Sequence, residues 1–155
     1  MSFLRTHLVA VGRMKAGPER ALFEHYAARL TPSPELREVE EKRNLPPEKM
    51  KPREAELLLA AIPQGARIIA LDERGKSLGS QAFAQLLGEW RDEGVRDVAF
   101  VIGGADGLGR LVLDQASLVL SFGVMTWPHM LVRGLVAEQL FRANAILSGH
   151  PYHRE

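Results

Sequence analysis

The sequence predicts a single α/β domain, residues 1–155, built around a mainly parallel sheet. Apolar runs typical of strands alternate with helical patterns along the chain, and this alternation is the first observation behind the prediction. Two of the runs are short and continuously apolar, as expected of strands that are covered on both faces. The length of 155 residues suits one ordinary domain, and the sequence contains no internal repeat.

The first half of the chain predicts a strand, a helix and a charged segment. Residues 4–11 form an apolar run that ends at a glycine, which predicts a strand. Residues 18–30 predict an amphipathic helix, because a proline suits its first turn and apolar side chains recur on one face. Residues 35–56 are dominated by charge and interrupted by three prolines, so we expect a surface insertion made of a solvated connection and the exposed face of a helix, with a dedicated binding arm as the alternative.

The second half predicts a β-α-β unit followed by a third strand and a long helix. Residues 66–71 and 98–102 are the two continuous apolar runs, and both predict central parallel strands. Between them, residues 80–91 predict a helix with one apolar face. A third apolar run, residues 118–120, precedes a loop and then a helical pattern that continues to about residue 147. The expected buried stripe of this last helix is Val132, Val136, Leu140, Ala143 and Leu147.

Composition excludes several classes of protein. A chain that is 46% hydrophobic and 25% charged is typical of soluble globular domains and not of disordered or collagen-like ones. The formal net charge of +1 argues against a uniformly basic nucleic-acid binder. The sequence contains no cysteine, which excludes disulfides, thiolate metal sites and cysteine nucleophiles. It also contains neither a signal-peptide core nor an apolar run of the ~18 residues that a membrane span needs, so we expect a cytoplasmic protein without membrane contact.

Parallel sheets bind ligands at the carboxyl ends of their strands, so chemistry is expected in the loops after Leu71, Ile102 and Leu120. Four glycines occupy residues 103–109, directly after the second of these positions. Arg110 stands where a nucleotide triphosphatase loop has lysine, and Val112 where a dinucleotide fingerprint has its third glycine. Both of those interpretations are therefore weak, and a tight turn without a ligand is a further alternative.

Two other segments carry residues suited to binding. The loop of residues 122–129 is unusually apolar for a loop that follows a strand, and it predicts a slot for a flat ligand such as adenine. The alternative is a loop that packs into the core. In residues 150–155, Pro151 separates His150 from His153, which spoils a metal-ligand geometry. His, Tyr and Arg together suit stacking on a base and contact with phosphate, and a disordered terminus is the alternative. No serine lies in a Gly-x-Ser-x-Gly nucleophile elbow.

The same segments carry a family resemblance. Over essentially its whole length the sequence resembles the ribosomal RNA large-subunit methyltransferase H family. The matching motifs include Leu8-Val9-Ala10-Val11-Gly12, Leu71-Asp72 with Gly75-Lys76, Phe100-Val101-Ile102-Gly103-Gly104 with Gly107-Leu108, Leu120-Ser121-Phe122, Met125-Thr126-Trp127-Pro128-His129, Leu131-Val132-Arg133, Glu138-Gln139-Leu140-Phe141-Arg142-Ala143 and His150-Pro151-Tyr152-His153-Arg154-Glu155.

This resemblance implies a SPOUT-class methyltransferase with a C-terminal trefoil knot. It implies methyl transfer from S-adenosyl-L-methionine to N3 of a pseudouridine in 23S rRNA, with the assembled ribosome as the expected substrate. It further implies a homodimer and no metal. The alternatives are the same chemistry on another RNA, a noncatalytic ribosome-binding factor and a dinucleotide-binding domain.

The resemblance also assigns residues. The implied cofactor-binding positions are Leu71, Gly103, Phe122, Gly123, Val124, Met125, Thr126 and Trp127. His129 and Arg142 are expected to bind the RNA, and Tyr152, His153 and Arg154 are expected at the reacting base, with the partner's tail as a possible source. His129, His153 and water are all candidates for the group that takes the N3 proton. Acidic residues are concentrated partly in residues 35–56, whereas basic residues gather in the C-terminal part: Arg133, Arg142, His150, His153 and Arg154. The small net charge therefore leaves room for an RNA-facing basic region in the C-terminal part.

Overall fold

The computed structural model describes residues 4–154, which form a five-stranded, all-parallel sheet with helices on both faces. The strand order is β2-β1-β4-β3-β5. In chain order the elements are β1 (Arg5–Val11), α1 (Pro18–Ala27), β2 (Glu35–Val39), α2 (Pro47–Ala61), β3 (Arg67–Ser77), α3 (Ser80–Asp92), β4 (Asp97–Ile102), α4 (Arg110–Gln115), β5 (Leu118–Ser121) and α5 (His129–Ser148).

The predicted α/β class and the predicted central strands are confirmed. β4 lies between β1 and β3, and β3 lies between β4 and β5. Along β1 the side chains alternate between two cores, because successive residues of a strand point to opposite faces. Leu8 and Ala10 join the core beneath α1, α3 and α5, whereas Val9 and Val11 join the core beneath α2 and α4.

The prediction of a surface insertion at residues 35–56 was wrong. Glu35–Val39 is the edge strand β2, paired in parallel with β1, and Pro47–Ala61 is the helix α2. Ala55 and Leu58 of α2 are both 1% exposed and belong to the second core. The charge of β2 is compatible with an edge that faces solvent. Only the exposed face of a helix was expected in this segment, but α2 continues past residue 56 to Ala61 and has a buried apolar stripe.

The strand β3 is longer than its apolar run predicts. Its pairing with β5 shifts register between Leu71 and Lys76, so the chain bulges beside the end of β5. A Cβ on Gly75 would lie 2.5 Å from the carbonyl oxygen of Val119, so only glycine permits this approach of the two strands. The bulge places residues 72–74 beside the loop that follows β5.

The long C-terminal helix is confirmed as α5. Four residues of its predicted stripe are buried, and Leu147 packs partly buried against the same core. The helix ends at Gly149, whose φ of 76° is the left-handed conformation that glycine adopts at helix ends. No helix within residues 4–154 is both long and apolar enough to cross a membrane.

Candidate active site

A cavity of about 650 Å³ lies at the carboxyl ends of β3, β4 and β5, where the sheet topology predicts ligand binding. Seven of the eight implied cofactor residues line it: Leu71, Gly103, Phe122, Gly123, Met125, Thr126 and Trp127. Val124 does not line the cavity, and its side chain is 92% exposed. Three separate loops of the chain therefore converge on one cavity.

The glycine-rich loop after β4 forms one wall as a compact turn. The Gly107 N–H donates a hydrogen bond to the Gly104 carbonyl oxygen at 3.0 Å, and Gly107 has φ +81°. A Cβ on Gly103 would lie 2.7 Å from the Gly107 carbonyl carbon, closer than real Cβ contacts allow. Glycine is thus required here by the turn itself, and the turn presents backbone rather than side chains to the cavity.

The loop after β5 is fixed by hydrogen bonds to its own residues and to β3. The Ser121 hydroxyl is buried; it accepts a bond from the Gly123 N–H at 3.0 Å and lies 3.1 Å from the Glu73 carbonyl oxygen. The Thr126 hydroxyl donates to Oε2 of Glu73 at 3.0 Å. The Trp127 indole N–H points to the Phe122 carbonyl oxygen at 3.4 Å. These contacts hold the opposite wall in place without a ligand.

Charged side chains surround the mouth of the cavity. Arg74 donates hydrogen bonds to both carboxylate oxygens of Asp72, and this contact lowers the pKa of Asp72. Lys51 of α2 and Asp106 of the glycine-rich loop also line the cavity. Behind that loop, burial and the nearby Asp106 raise the pKa of Glu54. The cavity therefore combines an apolar floor with a rim of both signs of charge.

His129 lines the cavity from the first residue of α5. Burial lowers the pKa of His129, and the positive charge of Arg133, one turn further along the helix, lowers it as well. A lowered pKa keeps the imidazole neutral near pH 7. A neutral imidazole beside the cavity is able to accept a proton.

Arg133 is not part of a basic RNA-facing surface, contrary to the sequence-based expectation. Its side chain is fully buried, donating to Glu38 Oε2 at 2.5 Å and to the carbonyl oxygens of Val11 and Gly12 at 2.9 and 2.8 Å. It ties the start of α5 to the ends of β1 and β2. The helix that carries His129 is thereby fixed against the sheet.

The other predicted RNA-contacting residues form a separate cluster on α5. Arg142 donates to Glu138 at 2.8 and 3.2 Å, and the Tyr152 hydroxyl donates to the same carboxylate at 3.0 Å. Arg142 Nη1 lies 3.1 Å from Nδ1 of His153, and Arg154 is exposed. Burial and the neighbouring Tyr26 and Glu138 raise the pKa of Tyr152 to about 12, so its phenol stays protonated.

This cluster is remote from the cavity of its own chain. None of Arg142, Tyr152, His153 and Arg154 lines the cavity. Arg142 lies thirteen positions along α5 from His129, and at a rise of ~1.5 Å per residue this separation is roughly 20 Å. Within one chain, the predicted cofactor residues and the predicted tail residues form two groups that do not meet.

Sequence reasoning missed the contribution of α2 to the site. Lys51 lines the cavity, and a Cβ on Gly104 would lie 3.4 Å from a carboxylate oxygen of Glu54. Both residues fall in the segment taken for a surface insertion. The three-residue spacing of Ala55 and Leu58 could have predicted a buried helix face here. That helix places Lys51 and Glu54 on the adjoining face. Within residues 4–154 no group of three His, Cys, Asp or Glu side chains is placed to hold a metal ion.

Comparison with known proteins agrees with this geometry. The family model described as "Predicted SPOUT methyltransferase" matches residues 4–153. The "Ribosomal RNA large subunit methyltransferase H" of Paramagnetospirillum magneticum is 61% identical over 151 residues, covering 97% of this chain and 99% of the relative. The protein of the same name from Rhodospirillum centenum is 58% identical with the same coverage. A crystal structure of a probable methyltransferase from Bordetella pertussis Tohama I superposes with a TM-score of 0.54 at 17% identity, covering 91% of this chain and 96% of that one.

The parallel sheet, the cavity at the strand ends and the family match together define a methyltransferase of the SPOUT class. The methyl donor of this class is S-adenosyl-L-methionine. Within that class, the chain belongs to the ribosomal RNA large subunit methyltransferase H family.

Proposed function

We propose that this chain transfers a methyl group from S-adenosyl-L-methionine to N3 of a pseudouridine in 23S rRNA, acting as a homodimer on the assembled ribosome in the cytoplasm. The observation that carries the proposal is the convergence of seven implied cofactor residues on one strand-end cavity. The near full-length likeness to proteins named for large-subunit rRNA methylation supports the substrate class.

The cavity suits an adenine nucleoside with an amino-acid arm. Its volume of about 650 Å³ lies within the usual range for small-molecule sites. Leu71, Met125 and Trp127 supply apolar walls for a flat base, while the turn at Gly103 offers backbone groups. Acidic rim residues such as Asp72 and Asp106 suit a ligand that carries positive charge. When bound, the cofactor supplies a methyl carbon on a positively charged sulfur, which is a good leaving group.

The remaining work of the protein is alignment and removal of one proton. N3 of the base forms a bond to the methyl carbon while the bond from that carbon to sulfur breaks, and its electron pair returns to sulfur. N3 must lose its proton in the same reaction. We assign this proton to His129, because the side chain lines the cavity and its lowered pKa leaves it neutral.

The tail of the partner subunit completes the site in this proposal. The tail of each chain docks on its own α5, roughly 20 Å along the helix from His129. A two-fold dimer brings the same patch of both subunits together, and we propose that this patch includes α5, so that each tail lies at the cavity of the other chain. Tyr152, His153 and Arg154 of one chain would then contact the base bound at the other. We also propose that the three converging loops form the trefoil knot that the resemblance implies.

Methylation of ribosomes from a strain that lacks this activity tests the proposal. The protein and S-adenosyl-L-methionine are incubated with free rRNA, large subunits or whole ribosomes, and the modified nucleotide is identified by mass spectrometry. We expect one new methyl group, on a pseudouridine of 23S rRNA, with whole ribosomes the best substrate. Methylation at another nucleotide, or equal methylation of free rRNA, would refute the corresponding part of the proposal.

A further inference from the structure

One exposed arginine outside both groups of predicted residues stands beside the tail. Arg29 lies two positions after Ala27, the last residue of α1, and its guanidinium carbon lies 4.2 Å from the centre of the Phe141 ring. It also lies 5.9 Å from the centre of the Tyr152 ring. The two rings pack edge to face with their centres 4.7 Å apart. An aromatic pair therefore holds this guanidinium in one place at the surface.

The hydrogen-bond donors of Arg29 are not used by the protein. Across the described part of the chain, the Arg29 side chain has no hydrogen bond or ion pair to any other residue. Arg142 differs, because its guanidinium is paired with Glu138 through two hydrogen bonds. Stacking uses the flat face of a guanidinium and leaves its N–H edge free, and that edge matches the oxygens of a phosphate. Arg29 is thus oriented but has no partner.

The charge around Arg29 suits an anion. The nearby carboxylate of Glu138 already accepts hydrogen bonds from both Arg142 and the Tyr152 hydroxyl. Because the pKa of Tyr152 is raised, its phenol is neutral near pH 7 and adds no negative charge. His153 and the exposed Arg154 follow in the tail. The surface formed by Arg29, Arg142 and residues 152–154, called here the tail platform, therefore carries an excess of positive charge.

We propose that Arg29 contacts a phosphate of the substrate RNA and positions the strand on the tail platform. This inference rests on the proposed function, since it takes rRNA as the partner. Phosphate contacts set the register of a protein on nucleic acid, while other residues read the base. Arg29 is accordingly a positioning residue, whereas the cavity and the partner's tail contact the base itself.

Salt dependence of binding separates this role from a purely structural one. Binding of the dimer to large ribosomal subunits is measured over a range of potassium chloride concentrations for the wild type, Arg29→Ala and Arg29→Lys. For Arg29→Ala we expect binding about tenfold weaker near ~0.1 M salt, and a slope of log affinity against log salt that is shallower by about 0.7 to 1. Arg29→Lys keeps the charge and should keep the wild-type slope. In the methylation assay Arg29→Ala should raise KM and leave kcat nearly unchanged.

Arg20→Ala is the matched control. Arg20 lies on α1, the helix that precedes Arg29; it is exposed and paired with Glu24 at 2.9 Å, so its loss should leave both affinity and slope unchanged. A wild-type slope in Arg29→Ala would overturn the proposal. Equal loss of activity in the Ala and Lys variants without a change of slope would also overturn it, and would assign Arg29 to holding the tail.

The binding measurement is independent of the methylation product. If the wild type methylates no pseudouridine but the slope still depends on Arg29, the proposed function fails and the phosphate contact stands. If methylation occurs as proposed but the slope is independent of Arg29, the phosphate contact alone fails.

Discussion

His129 is held neutral by its surroundings. Burial and the fixed charge of Arg133 both disfavour the imidazolium, so the folded protein lowers the pKa of His129 below its usual 6.5. Arg133 in turn is fixed by Glu38 and by two carbonyl oxygens at the ends of the sheet. Burial is the larger cause of the lowered pKa, and the smaller contribution of Arg133 depends on its buried contact with the edge strand.

This arrangement predicts the pH dependence of methyl transfer. Turnover should fall as the pH drops through the lowered pKa of His129, because the protonated ring cannot accept the N3 proton, and the midpoint should lie below 6.5. His129→Gln should lower kcat by about 10²- to 10⁴-fold and remove this acid limb. Rates measured from pH 5 to 8 with saturating cofactor test both points. His25→Gln is the control, because His25 is exposed on α1; an acid limb that survives in His129→Gln would assign the proton to another acceptor.

The environment of single residues was only partly predictable from the sequence. The glycines of the loop after β4 and the apolar residues after β5 are adjacent in the chain, so their motifs could be recognised directly. The burial of Arg133 could not, because its partner Glu38 is 95 positions away and no local pattern links the two. Arginine side chains are exposed far more often than buried, so the residue type alone predicted an exposed Arg133, which was wrong.

Among the elements, α2 changed most between sequence and structure. Strands and helices with a complete apolar pattern, such as β4 and α5, were predicted with nearly their observed bounds. Most apolar residues of α2 lie in its second half, and Pro52 lies inside the helix, so its charged first half resembled a solvated connection with an exposed helix face. The strand β2 has little apolar character because it lies at the edge of the sheet, where it pairs with β1 alone.

The packing of α2 predicts its contribution to stability. Leu58→Ala should lower the free energy of unfolding by about 2 to 5 kcal/mol, since a side chain that is 1% exposed leaves a cavity when truncated. Glu56→Ala on the exposed face should change it by at most about 1 kcal/mol, the usual limit for a surface ion pair such as the one with Arg53. Urea denaturation at a fixed protein concentration measures both. If both substitutions lowered the free energy of unfolding by the same small amount, α2 would not be part of the core.

The tail is an element of the site in our proposal although it has no regular structure. Removal of residues 152–155, of which Glu155 lies outside the described residues, should abolish methylation. Cofactor affinity should remain close to that of the wild type, because no residue of the tail lines the cavity of its own chain. Calorimetry with S-adenosyl-L-methionine and the methylation assay on ribosomes measure the two quantities. Unchanged turnover after truncation would contradict a role for the tail in RNA binding.

For the molecule as a whole, the structure places the two groups of functional residues at separate positions along α5. The net charge of +1 excludes a uniformly basic surface, and the buried Arg133 removes one charge from the expected basic region. On the tail platform, Arg29 and Arg154 remain exposed. Under the proposed function, the cavity and the tail platform of a single chain lie too far apart to contact the same nucleotide, so a second chain is required.

A mixed-dimer experiment tests this central claim most directly. Gly103→Ala disrupts the turn that forms the cavity but keeps the tail, whereas deletion of residues 152–155 removes the tail but keeps the cavity. Each variant alone should be inactive. After the two are mixed and allowed to exchange subunits, half of the dimers are mixed and each has one intact site, so methylation should recover to about a quarter of the wild-type rate. No recovery, with subunit exchange verified by native mass spectrometry, would show that cavity and tail act within one chain and would contradict the account.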